Sequence, residues 1–331
     1  MLLFFCKFLG GRQWQEERKL KQSMQLQGML EIRRYIKETA PLIHCITNPI
    51  SIHDCANIIL AAGGRPIMAE HPAEVREITA VSSALMLNLG NITDARMESM
   101  KASLTEANQR HIPVLLDLVG VTCSSLRRDY AKQLLENGVF SVIKGNISEI
   151  LAVAELPFHG TGIDAGVQDA LSDANEDWYC RTARTLAFHL GCTVMATGKQ
   201  DLIADSQDVF LVSNGNASLS GITGTGCMVG ALTAAYLPGN SRKSVVRGNR
   251  ESKDIKMAGS QDNGSSRNTG NSAGTGTTAA LLAAATMGIA GEHASGISRG
   301  PGSFQVNLLD EIYALGEDQL LSEARIRQHA F

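Results

Sequence analysis

The chain has 331 residues and a formal net charge of −3, with no long run of charges of one sign, which argues against nucleic acid as its main partner. A hydrophobic fraction of 44%, only 5% aromatic residues and 32 glycines are typical of an alanine- and glycine-rich α/β protein rather than a β-sandwich. No apolar run reaches the roughly 20 residues that a membrane-spanning helix needs, so we expect no membrane partner.

The cysteines and the N-terminus bear on the cellular compartment. Seven cysteines, an odd number without a Cys-x-x-Cys pair, favour a reducing, cytoplasmic environment and disfavour a zinc site. The apolar stretch Met1–Leu9 is interrupted by Lys7 and makes a poor secretory signal. We expect residues 1–28 to be a poorly ordered or helical extension; an organelle-targeting role stays open, although Glu16 and Glu17 count against it.

Short apolar segments alternate with helical patterns along the rest of the chain. After a helix that starts near Met29, apolar runs predict strands at Leu42–Ile46, Pro66–Met68, Ala84–Leu89, Pro113–Asp117, Phe140–Lys144 and Thr193–Thr197, with Val209–Val212 as a candidate antiparallel edge strand. Amphipathic stretches predict helices at Asp54–Ala62, Pro72–Val81, Leu126–Leu135, Ser148–Ala154 and Trp178–Leu190, and a further helix that is capped by Thr93 and runs through Gln109. This alternation predicts an α/β fold with a mostly parallel central sheet and helices on both faces.

We expect residues 29–331 to form a single domain with one interruption. Residues 238–277 are rich in serine, glycine, asparagine and basic residues and almost lack large apolar side chains, so we predict a disordered insertion. A basic tether that touches nucleic acid or a membrane is the alternative for this segment. After it, an alanine- and leucine-rich helix over Thr278–Gly291 and a last helix near Val306–Leu315 resume the fold.

Polar residues follow the predicted strands where ligands bind to such sheets. Ligands of open α/β sheets bind outside the carboxyl ends of the strands. Asn48, Asn88, Asp117, Lys144 and Thr197 each lie at such an end. One pole of the sheet is therefore the candidate site.

A glycine-rich turn opens the helical segment that begins near residue 225. Gly224 and Gly226 lack a Cβ, so the backbone can adopt positive φ and approach an anion, and the first N–H groups of the helix favour negative charge. Thr225 adds a hydroxyl, and Cys227 lies in the first helical turn. The pattern matches neither the Walker loop nor the dinucleotide fingerprint, and a purely structural turn is the alternative reading.

Several separated motifs resemble, in order, those of the hydroxyethylthiazole kinase family of the ribokinase-like superfamily. They are PLIHCITNPISIHDCANIILAAGGRPIMAE (41–70), LNLGN (87–91), PVLLDLVGV (113–121), VIKGNISEI (142–150), ATGKQD (196–201), ITGTGC (222–227) and GPGSFQVNLLDEIYAL (300–315). The resemblance implies a ribokinase-like fold and Mg²⁺- and ATP-dependent phosphorylation of the hydroxyl of 4-methyl-5-(2-hydroxyethyl)thiazole in thiamine salvage. It also implies a homotrimer with thiazole pockets at the subunit interfaces.

The resemblance assigns roles on the nucleotide side of the site. Asp117 and Glu149 match the magnesium-associated carboxylates, and hard oxygen ligands suit that ion. The alternative is that Glu149 only caps its helix and Asp117 only accepts hydrogen bonds at the end of its strand. Lys144 stands where the family commonly has an ATP-contacting arginine, and Thr197 matches the nucleotide-binding threonine, with a simple turn residue as its alternative.

On the acceptor side, Met68 matches the residue that borders the thiazole, although a methionine there could equally be core filling. Asn48 and Asn57 are expected to support the hydroxyethyl pocket. Gly224, Thr225 and Gly226 would hold the transferring phosphoryl group through backbone N–H donors.

Cys227 stands where many ribokinase-like kinases have an aspartate that accepts the proton of the substrate. Two roles stay open for it, a weak general base or a residue that only lines the pocket.

The chain also departs from the family pattern. Leu118 replaces a proline, Thr122-Cys123 replaces a Gly-Ala-like pair, Lys199 replaces a glutamate, and Ser51–His53 differs beside the thiazole. These departures keep open a catalytically silent homologue that binds a small ligand or a nucleotide. A kinase for hydroxymethylpyrimidine is the nearer alternative, against which the cysteine at position 227 counts.

Overall fold

The structure, a computed structural model, describes residues 21, 23–160, 166, 169–240 and 273–331. Residues 1–20 and 241–272 lie outside the described residues. They make up most of the predicted N-terminal extension and of the predicted insertion, so the targeting and tethering roles considered for these segments also lie outside the described residues.

The helices, numbered in chain order, lie at the predicted positions, except that α1, α9 and α10 begin earlier than predicted. They are α1 (23–39), α2 (Ile52–Ala62), α3 (Val75–Ala80), α4 (Asp94–Gln109), α5 (Ser125–Asn137), α6 (Ile147–Val153), α7 (Glu176–Leu190), α8 (Thr225–Tyr236), α9 (Ala273–Ile297), α10 (Pro301–Ala314) and α11 (Glu317–Glu323). The predicted cap at Thr93 is confirmed, since its hydroxyl oxygen accepts a hydrogen bond from the Arg96 N–H of α4 at 3.3 Å. Helix α11 was not predicted.

The strands form one nine-stranded sheet in the order β2-β1-β3-β4-β5-β6-β7-β8-β9. They are β1 (Leu42–Ile46), β2 (Arg65–Ile67), β3 (Ala84–Asn88), β4 (Val114–Asp117), β5 (Val142–Asn146), β6 (Thr193–Thr197), β7 (Asp201–Ala204), β8 (Val209–Val212) and β9 (Ile326–Gln328). Pairing is parallel from β2 to β6 and antiparallel from β6 to β9. The mostly parallel sheet is confirmed, and β8 is antiparallel as predicted, but β9 covers it and takes the edge.

Helices cover both faces of the sheet because side chains along each strand alternate between two cores. On β3, Ala84 and Met86 face one core, while Leu85 and Leu87 face the other. The first core is closed by α1, α2, α8, α9 and α10, and the second by α3 to α7. The prediction of helices on both faces is confirmed.

Helix α1 crosses the predicted domain boundary at residue 29. Before that boundary, Leu26 packs against the first core and the Gln25 side chain accepts a hydrogen bond from the Thr278 hydroxyl at 2.8 Å. Beyond it, Met29 and Ile32 are buried. The residues just before 29 are thus packed together with the domain.

The last residues of the predicted insertion belong to a buried helix, because α9 begins at Ala273 rather than near Thr278. A Cβ at Gly276 would stand 2.4 Å from the Ser141 carbonyl oxygen, so only glycine allows this close approach of helix and sheet. The Thr277 hydroxyl is buried and donates to Asp205 at 2.9 Å. Small residues that predicted a loop are here the condition for tight packing.

Candidate active site

The register of the sheet brings the predicted polar residues together at one pole. Asn88 at the end of β3 lies beside Asp117 of β4, and Asp117 lies beside Lys144 of β5. Helix α8 packs against β3 and β4 and places its N-terminal turn over the same pole. The candidate site therefore consists of three strand ends and the start of α8.

The turn before α8 has the backbone that the glycine pattern predicts. Gly224 is the N-cap of α8 and has a φ of +89°, in the left-handed region that favours glycine. A Cβ there would stand 3.0 Å from Ser51 Cβ. The Thr225 hydroxyl donates to the Leu219 carbonyl oxygen at 2.9 Å, so its O–H holds the preceding loop in place. The N–H groups at the start of α8 remain suited to an anion.

Cys227, which is 8% exposed, receives two amide donors from the sheet. Asn48 Nδ2 lies 3.4 Å and Asn88 Nδ2 lies 3.3 Å from its Sγ. Backbone N–H groups fix both amide orientations: Ile50 and Ser51 donate to Asn48 Oδ1, and Gly90 donates to Asn88 Oδ1. Because the oxygens are taken by N–H donors, each NH₂ group must face the sulfur. The Cys227 sulfur is thus held as a hydrogen-bond acceptor.

Asp117 and Lys144 form a buried ion pair next to this cysteine. Lys144 Nζ lies 3.2 Å and 3.1 Å from the two carboxylate oxygens, and the two side chains are 3% and 0% exposed. Asn88 Nδ2 also donates to Asp117 Oδ2 at 3.2 Å, so Asn88 links the pair to Cys227.

The titration of this pair reflects burial and mutual attraction. Burial raises the pKa of Asp117, against the opposing effect of the Lys144 charge. Burial is also the largest single effect on Lys144 and disfavours its ammonium form, but the charges of Asp117, Cys227 and Glu149 together outweigh it, and the pKa of Lys144 is raised. The raised pKa of Asp117 favours its neutral form, whereas the raised pKa of Lys144 favours its charged form. The contact of Nζ with both carboxylate oxygens identifies the two side chains as a charged pair.

Glu149 lies at the start of α6, close to the same pair. One of its oxygens accepts from the Gly120 N–H at 2.8 Å and the other from the Asn146 N–H at 2.7 Å, while Asn146 Oδ1 accepts from the Glu149 N–H. The helix-capping alternative for Glu149 is therefore observed as a capping box. Burial raises its pKa to about 7.

The predicted nucleotide residues take different positions. Lys144 points into the protein toward Asp117, with its Nζ 3.5 Å from where a Cβ on Gly226 would lie, beneath the glycine turn. Thr197 is half-buried at the end of β6, beside Asn146, and donates to the Gly145 carbonyl oxygen at 3.3 Å. Thr197 therefore flanks the pole, whereas Lys144 lies at its base.

The acceptor-side predictions are only partly brought together. Asn48 lies at the centre through its contact with Cys227, and Met68 is half-buried against the first core. Asn57 hydrogen-bonds to the His53 ring one turn earlier on α2, and within the described residues no hydrogen bond joins it to Cys227 or the glycine turn. Its expected substrate role stays a prediction.

Asn88 is a site residue that sequence reasoning placed at the pole but gave no role. It follows an apolar strand, as many turn residues do. The feature that marks it as a site residue is that polar residues at two other strand ends lie beside it. The departure at Leu118 is fully buried in the second core, and Lys199 is exposed.

The donor set can be compared with the predicted magnesium site. Within the described residues, no three His, Cys, Asp or Glu side chains cluster in a way that could hold a metal ion. Glu149 fits an ion that also has other ligands, since each of its oxygens accepts one N–H and has a lone pair left. Asp117, held by Lys144 and Asn88, does not fit direct coordination.

Among the described helices, none has both the length and the apolar character that crossing a bilayer would require.

Comparison with known proteins identifies the family. The sequence profile of the Hydroxyethylthiazole kinase family matches residues 34–275. Hydroxyethylthiazole kinase 2 of Clostridium botulinum is 42% identical over 300 residues, which cover 91% of this chain and 100% of that relative.

Two solved structures agree with this match. The structure of the hydroxyethylthiazole kinase protein from Pyrococcus horikoshii has a TM-score of 0.72 and 27% identity, and the match covers 91% of this chain and 99% of that one. A ribokinase-like superfamily protein from Enterococcus faecalis has a TM-score of 0.50 at 12% identity, with coverage of 85% and 89%, and shows the fold. The resemblance seen in the sequence motifs is confirmed: the chain belongs to the hydroxyethylthiazole kinase family and has a ribokinase-like fold.

Proposed function

We propose that this chain transfers the γ-phosphoryl group of ATP to the hydroxyl of 4-methyl-5-(2-hydroxyethyl)thiazole in thiamine salvage. The family and the names of its relatives support the reaction and the acceptor. The observation in this chain that carries the proposal is the glycine turn at the start of α8, beside an acceptor sulfur held by two asparagines.

Phosphoryl transfer asks the protein mainly to position oxygens and to stabilise charge. The N–H groups of the Gly224–Gly226 turn are aimed out of α8 and would hold the oxygens of the transferring group, where the helix dipole adds positive potential. The Lys144 ammonium beneath the turn has the same effect.

In the reaction, the acceptor oxygen forms a bond to the γ-phosphorus while the bond from that phosphorus to the bridging oxygen of ADP breaks. The hydroxyl proton leaves toward either the Cys227 sulfur or an oxygen of the phosphoryl group. The two amide donors orient Sγ as an acceptor, which supports the first route. Asn88, bonded to both Cys227 and Asp117, positions the sulfur.

Mg²⁺ that accompanies ATP would neutralise charge on the phosphate oxygens. Of the two predicted carboxylates, Glu149 is the residue that we propose toward this ion, through its remaining lone pairs. Thr197 is proposed to border the nucleotide, because it lies half-buried at the neighbouring strand end. Met68 and Asn57 are proposed to border the thiazole.

We further propose a homotrimer with sites at its interfaces. Helices α2 and α10 pack together and are joined by a hydrogen bond from Gln305 Nε2 to Asp54 Oδ1 at 2.9 Å, and Asp54 lies near the glycine turn. On the same two helices, Leu60, Val306 and Tyr313 are large, apolar and more than half exposed, a surface that suits contact with another subunit.

The oligomer can be tested by analytical ultracentrifugation. Leu60→Glu and Val306→Glu should dissociate the trimer and abolish turnover. Val81→Glu is a matched control, because Val81 is at least as exposed as Leu60 and Val306 but follows α3. A monomeric wild-type protein would refute the trimer.

A cytoplasmic location is proposed from the cysteines. Cys45, Cys55, Cys180, Cys192 and Cys227 are free thiols within the described part of the chain, as a reducing compartment maintains.

The activity itself is tested by ADP release with ATP, Mg²⁺ and hydroxyethylthiazole, with hydroxymethylpyrimidine as a parallel acceptor. Gly224→Asp serves as the inactive control, since it places a side chain and a negative charge in the turn. Thiazole-dependent turnover that this substitution abolishes would support the kinase. Thermal stabilisation by both ligands without ADP release would instead identify a silent homologue, and faster turnover with the pyrimidine would transfer the proposal to that acceptor.

A further inference from the structure

The Asp117 carboxylate is surrounded by donors on every side. We propose that the Lys144 ammonium is a built-in cation at this carboxylate, so that no divalent ion binds Asp117 directly and Mg²⁺ is held from the Glu149 side. The inference rests on the proposed function for the presence of Mg²⁺, and it concerns which of the two predicted metal carboxylates binds that ion.

The first argument is the number of hydrogen bonds. A carboxylate offers about four lone-pair positions. Lys144 Nζ contacts both oxygens, Asn88 Nδ2 donates to Oδ2, and the Val119 backbone N–H also hydrogen-bonds to the carboxylate. These four contacts use the whole capacity of the group. A metal ion could bind only by displacing one of them.

The second argument is space. Asp117 is fully buried, and a Cβ on Gly230 would stand 3.0 Å from its Oδ2, so the backbone of α8 closes over the carboxylate. Mg²⁺ requires near-octahedral ligands at roughly 2.0–2.1 Å and usually keeps several waters. The packing around Asp117 leaves no space for such a shell.

The third argument is that the ammonium already lies where positive charge is needed. Lys144 Nζ is 3.5 Å from the position of a Cβ on Gly226, directly under the first turn of α8. Its charge therefore adds to the positive end of the helix dipole at the phosphate site. Lys144 stabilises the transferring phosphoryl group from beneath the turn, and Asp117 holds the Lys144 ammonium in place.

Glu149 is nearly as buried as Asp117, at 3% exposed, but differs from it in its hydrogen-bond partners. Its two oxygens accept one backbone N–H each, and within the described residues no lysine or arginine side chain hydrogen-bonds to it. An ion that arrives with the nucleotide can therefore use its remaining lone pairs, directly or through water.

Mn²⁺ binding tests the proposal without any turnover. The affinity of Mn²⁺ for the full-length protein would be measured by electron paramagnetic resonance, alone and with a saturating β,γ-imido analogue of ATP. Asp117→Asn combined with Lys144→Gln removes both charges together, whereas Glu149→Gln changes only the other carboxylate. We expect the double variant to keep the Mn²⁺ affinity within about twofold and Glu149→Gln to weaken it about tenfold or more.

A tenfold or greater loss in the double variant, with Glu149→Gln unchanged, would overturn the inference. So would Mn²⁺ bound tightly to the nucleotide-free wild type and lost in the double variant. Because substitutions at a buried pair can prevent folding, a wild-type measurement is added: electron-nuclear double resonance of bound Mn²⁺ on protein with ¹³C-labelled aspartate carboxyls. No resolved aspartate coupling is expected, and a resolved one would place an aspartate at the metal and overturn the inference. Failure of thiazole phosphorylation would leave both results intact and refute only the proposed activity.

Discussion

The turn at Gly224 gives the most direct test of the site, because its conformation depends on one missing side chain. A non-glycine residue in the left-handed region loses roughly 1–2 kcal/mol. The new Cβ would also stand 3.0 Å from Ser51 Cβ, and relieving that contact costs on the order of 1 kcal/mol. We therefore expect Gly224→Ala to lower the free energy of unfolding by about 2–3 kcal/mol.

Substitutions at two other glycines distinguish the effect of backbone strain from the effect of the steric contact. Gly226 lies inside α8, and an added Cβ would meet Lys144 Nζ at an ordinary 3.5 Å, so Gly226→Ala should leave stability unchanged or raise it by up to about 1 kcal/mol. Gly191 has a φ of +64° and open space around it, so Gly191→Ala should show backbone strain alone, roughly 1–2 kcal/mol.

Urea unfolding followed by circular dichroism measures the stabilities, and ADP release measures the activity. A shift of about 1 Å in the turn can cost about 100-fold in rate, so Gly224→Ala should lose most turnover, whereas Gly191→Ala should keep it. The reasoning fails if Gly224→Ala is as stable as Gly226→Ala, or if it turns over like the wild type.

Three more predictions concern single side chains. Cys227→Ser should retain ATP and thiazole binding but lower kcat; an unchanged kcat would leave the sulfur as pocket lining. The folded protein keeps a proton on Glu149 up to about pH 7, whereas the unfolded chain releases it near pH 4.5. The free energy of unfolding should therefore fall as the pH rises through this window, and for Glu149→Gln, urea titrations should show a smaller change with pH there. Burial lowers the pKa of His44, so stability should instead fall as the pH drops below the unfolded value of about 6.5, and His44→Gln should lack that loss in the same titrations.

Much of the fold could be read from the sequence, because buried parallel strands are continuous apolar runs and their spacing by helices is regular. The same rule placed Asn48, Asn88, Asp117 and Lys144 at one pole. Two short antiparallel strands, β7 and β9, were not predicted. Strand β9 has only three residues, two of them polar, and depends on pairing with β8 rather than on any pattern of its own.

The site could be located from the sequence but its internal contacts could not. A lysine at a strand end has the same pattern whether it reaches outward to a nucleotide or inward to a carboxylate; for Lys144 the choice follows from the register that places Asp117 beside it. Likewise, the amide orientations of Asn48 and Asn88 depend on backbone N–H groups in the loops that follow them. The roles assigned from the resemblance to Thr197, Met68 and Asn57 stay predictions.

The burial of Asp117 with Lys144 also constrains how this protein can change during evolution. Either substitution alone leaves one charge buried without its partner, a change that typically destabilises a protein by about 3–5 kcal/mol. A lineage that loses the lysine must therefore acquire another cation at that position, or neutralise both residues within a short succession of mutations. Across homologues, the two positions should vary together, and the intermediates that separate the two solutions should be rare.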